Sequence, residues 1–119
     1  MTTITNTNSA REIVLAFINA LNNEDFAVAR QYLHDDLTFI GVLGTRTGAD
    51  VYISEMSRMK FKYTVKKSFE EGSDVSLYYD INMGDKTIFC SGWYELKDNK
   101  ISLFRVVFDP RPLFEERKG

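Results

Sequence analysis

The sequence predicts an α+β domain, with N-terminal amphipathic helices packed against a cone-shaped, curved antiparallel sheet. Three observations carry this prediction. Apolar residues recur at helical spacing in the N-terminal part of the chain. From Phe61 onward the hydrophobic period changes to two. Those period-two runs are joined by short turns rich in Gly, Asp and Asn, the pattern of an antiparallel meander.

Ser9-Ala10-Arg11-Glu12 matches a capping box, in which a hydroxyl and a carboxylate satisfy orphan N–H groups reciprocally. Ile13, Val14, Phe17, Ile18 and Leu21 then form one stripe, which predicts a helix over about 10–21 stopped at Asn22-Asn23. A second short helix begins near Glu24. Phe26, Ala29 and Leu33 share its face, Tyr32 lies at the margin, and Glu24 and Asp25 suit the positive end of its dipole. His34-Asp35-Asp36 reads as a helix-ending surface turn, because three adjacent residues rarely converge on one metal ion. Residues 37–40 form a short strand, 44–48 a loop, and 49–59 a third helix with Tyr52 and Met56 one turn apart. Long strands follow at 63–69, 75–83, 87–96 and 101–108, with turns at 71–74, 84–85 and 97–99. Asp109-Pro110-Arg111-Pro112 ends the last strand, since proline cannot continue a sheet interior, and Asp109 is placed to pair with Arg111.

A chain of 119 residues that is 44% hydrophobic reads as a single domain, with residues 1–8 as a disordered tail. The net charge is −2 and the isoelectric point about 5.4. No basic patch tracks a phosphate backbone, so nucleic acid is not an expected partner. Lys60, Lys62, Lys66 and Lys67 read as a solvated sheet face. The lone Cys90 lies in an apolar run and reads as a buried thiol. Residues 1–8 lack the basic head and apolar core of a signal peptide, and no run approaches membrane-spanning length. No membrane partner is expected, and a cytoplasmic location follows by default.

Three stretches carry a resemblance: residues 16–22 (AFINALN), 32–39 (YLHDDLTF) and 100–105 (KISLFR). With the order of elements, they resemble the nuclear-transport-factor-two-like superfamily, which includes SnoaL-like polyketide cyclases, ketosteroid isomerases and scytalone dehydratases. The resemblance spans about 9–114 and is specific for fold rather than reaction. The tyrosine, aspartate base and second acid of ketosteroid isomerases fall on Phe17, Gly41 and Gly92, which argues against that mechanism here. His34 lies at the rim, away from the place a scytalone dehydratase histidine would occupy. No Arg-x-Asp along a strand supplies the Asp–Arg–Asp set of epoxide hydrolases of this fold.

Tyr78, Asp80 and Asn82 share one strand face, which the resemblance turns toward the cone interior. Desolvation there would raise the pKa of Asp80 and suit it to general acid–base catalysis. Two other readings stand beside this. Asp80 pairs with a neighbour and merely orients ligands, or another register exposes it to water. Phe104, Val106 and Phe108 share a second face and, with Phe39, Tyr52, Met56, Phe17 and Tyr94, form an expected apolar cavity wall. For Phe17 and Val106, plain core packing is the simpler reading. Trp93, Arg105, Phe89, Ser91, Leu103 and Val107 fall on the outer face, which is apolar enough to predict a homodimer unless Leu113-Phe114 covers it. The expected ligand is a small apolar or oxygenated organic molecule. The expected function is either cofactor-independent isomerisation, cyclisation or dehydration using Asp80, or binding or dimerisation without catalysis. No metal or cofactor motif is present.

Overall fold

The computed structural model describes residues 9–115, with side chains to Leu113; the expected tail at 1–8 lies outside the described residues. The elements in chain order are α1 (Ala10–Asn22), α2 (Phe26–Gln31), β1 (Leu33–Gly41), β2 (Gly44–Thr47), α3 (Ala49–Met59), β3 (Lys62–Glu71), β4 (Asp74–Asn82), β5 (Thr87–Lys97), β6 (Lys100–Phe108) and α4 (Arg111–Glu115). The strands make one six-stranded sheet in the order β2-β1-β6-β5-β4-β3. β3 to β6 are the expected meander, and β1 returns beside β6 as the one parallel pair. No helix among the described residues is long and apolar enough to cross a membrane.

The capping box forms as read. Glu12 N–H donates to Ser9 Oγ at 3.1 Å, and Ser9 N–H donates to Glu12 Oε1 at 3.2 Å. Ile13, Val14, Phe17, Ile18, Ala20 and Leu21 are buried, so the whole apolar stripe of α1 meets the sheet. Each such side chain contributes about 1.5–3 kcal/mol by leaving water. Phe17 packs edge-on against Phe104 at 6.4 Å and tilted against Tyr52 at 6.3 Å, tying α1, β6 and α3 together.

The structure differs from the sequence reading between residues 33 and 48. Leu33 is not the end of a helix but the first residue of β1, fully buried and paired with Ile101. The His34-Asp35-Asp36 segment belongs to that strand, and its register shift against β6 lets the polar triplet stay at the surface. Arg30 anchors it, bridging Asp35 at 2.7 Å and Asp50 at 2.6 Å. The 44–48 loop is β2, which pairs with β1 through Gly41↔Gly44 to Thr38↔Thr47. Every residue of β2 is exposed, so no buried alternation marks it as a strand.

Candidate functional site

Between α3 and the concave face of the sheet lies a half-open cavity of ≈ 380 Å³, within the roughly 300–1,000 Å³ usual for small-molecule sites. β1 and β6 supply Phe39, Phe104, Val106 and Phe108; α3 supplies Tyr52, Glu55, Met56 and Met59. β3 and β4 supply Tyr63, Tyr79 and Ile81. Val42, Leu43, Phe61, Met83 and Leu113 complete an apolar rim. Phe39 packs on Tyr52 at 5.1 Å and on Phe104 at 5.2 Å, so these three rings form a continuous wall.

The polar groups in the wall are mainly phenols. Tyr94 lies behind Phe104, stacked on it at 4.2 Å, and its hydroxyl donates to Tyr79 Oη at 3.3 Å. Tyr63 packs edge-on against Tyr79 at 5.6 Å, and its hydroxyl donates to Met56 Sδ at 3.7 Å. Burial pushes the pKa values of Tyr52, Tyr63, Tyr79 and Tyr94 well above the ordinary phenol range, because a phenolate would lose its hydration there. The tyrosines therefore stay neutral at any physiological pH. Two hydroxyls that share one hydrogen bond keep one O–H hydrogen uncommitted. In this pair the uncommitted hydrogen is that of Tyr79, a lining residue, and none of the four phenols readily gives up a proton.

Among the described residues, charged lining is confined to Arg46 on β2 and Glu55 on α3. Arg46 Nε donates to Glu55 Oε2 at 2.7 Å, an ion pair across the mouth. No aspartate or histidine lines the cavity among the described residues.

Of the wall residues expected from sequence, Phe39, Tyr52, Met56, Phe104, Val106 and Phe108 line the cavity. Phe17 and Tyr94 are fully buried behind it. Tyr78, Asp80 and Asn82 do not line it, and their inward placement is corrected. Val75, Leu77, Tyr79 and Ile81 are the buried residues of β4, paired with Tyr94, Gly92, Cys90 and Ile88 of β5. The intervening side chains therefore face outward. Asp80 sits 3.5 Å from Lys66 Nζ, and Asn82 accepts from Gly84 N–H in the β4–β5 turn at 2.9 Å. The physical reason is that β4 alternates with its apolar residues at odd positions. Burying the even positions would have placed a carboxylate and an amide in the core and the apolar set in water.

Packing accounts for two of the residues matched to ketosteroid isomerase positions. Phe17 is core. Gly92 is required by the tyrosines, because a Cβ there would lie 2.9 Å from Tyr79 Oη and 3.0 Å from Tyr94 Cε1.

Residues 14–104 match the model of the SnoaL-like domain. The chain belongs to the SnoaL-like family. An NTF2-like protein of unknown function from Cytophaga hutchinsonii is 52% identical, with 89% of this chain and 95% of that one covered, at a TM-score of 0.87. An LEH-like epoxide hydrolase from M. tuberculosis is 28% identical, with 89% and 86% covered, at a TM-score of 0.78. A de novo designed protein with a curved β-sheet shares the fold at 18% identity, with 92% of each chain covered and a TM-score of 0.76. No curated protein matches.

Sequence reasoning missed Tyr63, Tyr79, Ile81, Arg46 and Glu55 as lining residues of this SnoaL-like chain. A signal existed for Tyr79 and Ile81 in the hydropathy alternation of β4. None existed for Arg46 and Glu55, which meet only because β2 folds back beside α3.

Proposed function

We propose that this SnoaL-like chain binds a small, mostly apolar organic molecule carrying an oxygen function, and does so without using Asp80 for chemistry. The observation that carries the reading is the ≈ 380 Å³ cavity walled by Phe39, Phe104, Val106 and Phe108 and edged by neutral phenols. Apolar walls bring an apolar body out of water, and a few donors fix its orientation. A proton-transfer enzyme needs a base within hydrogen-bond reach of its substrate. Asp80 lies on the other face of the sheet, and Glu55 is already tied to Arg46. A hydrolase reading, prompted by the epoxide hydrolase among the similar structures, would want aspartates on the wall, and the lining has none among the described residues.

Calorimetric titration with decanol, a neutral probe of the right character, tests this. Saturable binding is expected, weakened about tenfold or more by Val106→Phe, which fills the cavity; tenfold corresponds to about 1.4 kcal/mol. No binding, or binding indifferent to Val106→Phe, overturns the reading.

We also propose a homodimer formed through the outer sheet face. Support comes from Phe69, Tyr78, Phe89, Trp93 and Val107, all exposed there. Tyr78 stacks on Phe89 at 6.2 Å and meets Phe69 edge-on at 6.1 Å, while Arg105 lies 5.8 Å over the Trp93 ring. A contiguous patch of this kind is a site of association. Of the Leu113-Phe114 segment, Leu113 lines the cavity on the concave side and so does not cover this face, and the Phe114 side chain lies outside the described residues.

A further inference from the structure

We propose that the ligand carries a carboxylate, held at the cavity mouth by Arg46, with Glu55 as the residue that positions the guanidinium. This inference rests on the binding reading above and names the chemical class of the ligand.

Among the described residues, the mouth is the one place where the cavity lining is charged. Arg46 Nε donates to Glu55 Oε2 at 2.7 Å, and Arg46 Nη1 donates to the Thr45 carbonyl at 3.1 Å. A Cβ on Gly44 would lie 3.2 Å from Nη1, so the glycine gives the guanidinium room to fold back over β2. A guanidinium has five N–H donors in a planar fork. These contacts engage Nε and Nη1, and among the described residues no hydrogen bond takes Nη2, which is open to a second acceptor.

That geometry decides the sign of the head group. A carboxylate reaching the mouth meets donors that are uncommitted, on the more exposed partner: the Arg46 side chain is 43% exposed and that of Glu55 22%. It binds without breaking the existing pair. An ammonium head finds the one lining carboxylate among the described residues already engaged, and must displace Arg46 or share Glu55 with it. A phosphate monoester brings nearly two negative charges to a pair whose own charges cancel. A singly charged carboxylate on an apolar body therefore fits best, its tail against Phe104, Val106 and Phe108. Arginine is suited to this role because its fork matches the two oxygens of a carboxylate.

Three probes of one tail length test the assignment: decanoate, decanol and decylamine, titrated at neutral pH into the wild-type chain and Arg46→Gln. Decanoate is expected to bind the wild type about tenfold or more tighter than decanol, as charge-assisted hydrogen bonds imply. Arg46→Gln should remove that preference for decanoate, with an unchanged circular dichroism spectrum and melting temperature reporting that the variant is folded. Equal affinity for decanoate and decanol in the wild type overturns the carboxylate assignment and leaves the apolar binding site standing. So does tighter binding of decylamine, or a decanoate preference that survives Arg46→Gln. Failure of all three probes to bind overturns the binding reading itself.

Discussion

The missing side chain of Gly92 is filled by two hydroxyls. Tyr79 and Tyr94 meet over it, within 2.9 Å and 3.3 Å of where its Cβ would stand. Gly92→Ala should therefore destabilise the fold by about 1–3 kcal/mol, the usual range for overpacking. Denaturant unfolding measures this, and Tyr79→Phe in the same chain should recover part of the loss by removing the nearest clashing atom. A strictly additive double mutant would show that the hydroxyl is not the obstacle. The buried phenols and Cys90 also make a prediction about pH. Burial, with the negative charge of Asp80 as a second cause, pushes the Cys90 thiol up to about 11, and the four buried tyrosines lie above the ordinary phenol range for the same first reason. The folded chain then keeps protons that the unfolded chain releases, so stability falls as pH rises. The Cys90 contribution should begin to decline near the ordinary thiol value of about 8.5 and the tyrosine contribution above about 10. Phenolate absorbance from these tyrosines should appear together with unfolding; ionisation well before the circular dichroism transition would contradict their burial.

At the scale of elements, β4 shows how hydropathy and chemistry compete in a reading. Its pattern puts Val75, Leu77, Tyr79 and Ile81 on one face and Ser76, Tyr78, Asp80 and Asn82 on the other. Counted as hydropathy, the odd face belongs in the core. Counted as catalytic potential, the even face attracts attention because it holds a carboxylate beside a phenol. Burial of the odd face wins, since each apolar side chain gains about 1.5–3 kcal/mol by leaving water, while an unpaired buried carboxylate costs more than that. Asp80→Asn should leave decanol affinity unchanged and alter stability by less than about 1 kcal/mol, as for an exposed ion pair. A loss of binding on this substitution, in a variant with an unchanged melting temperature, would return Asp80 to the site. The β1–β2 hairpin is the opposite case. Its second strand has no buried residue, so only pairing with β1 creates it, and that pairing brings Arg46 beside Glu55.

For the whole molecule, the two faces of the sheet differ in what they present. The concave one packs against α1 and α3 and holds the cavity, which Leu113 of α4 also lines. The convex one carries exposed aromatics, with Phe89 59% and Trp93 42% exposed. A homodimer through that face should sediment as such at micromolar concentration, and Trp93→Lys should shift it toward monomer with little change in the unfolding of the monomer itself. A wild type that sediments as a monomer would refute the interface.

The sequence by itself determined the α1 capping box, the third helix, the meander and the fold class, because these rest on local spacing and on the period of burial. It also determined that Phe104, Val106 and Phe108 share a face and that Trp93 lies opposite them. The tertiary structure alone decided that Leu33 opens a strand, that an exposed tetrapeptide pairs as β2, and that Arg46 and Glu55 meet at a cavity mouth. Those outcomes depend on contacts between residues far apart in the chain, whose energies leave no mark in the local pattern.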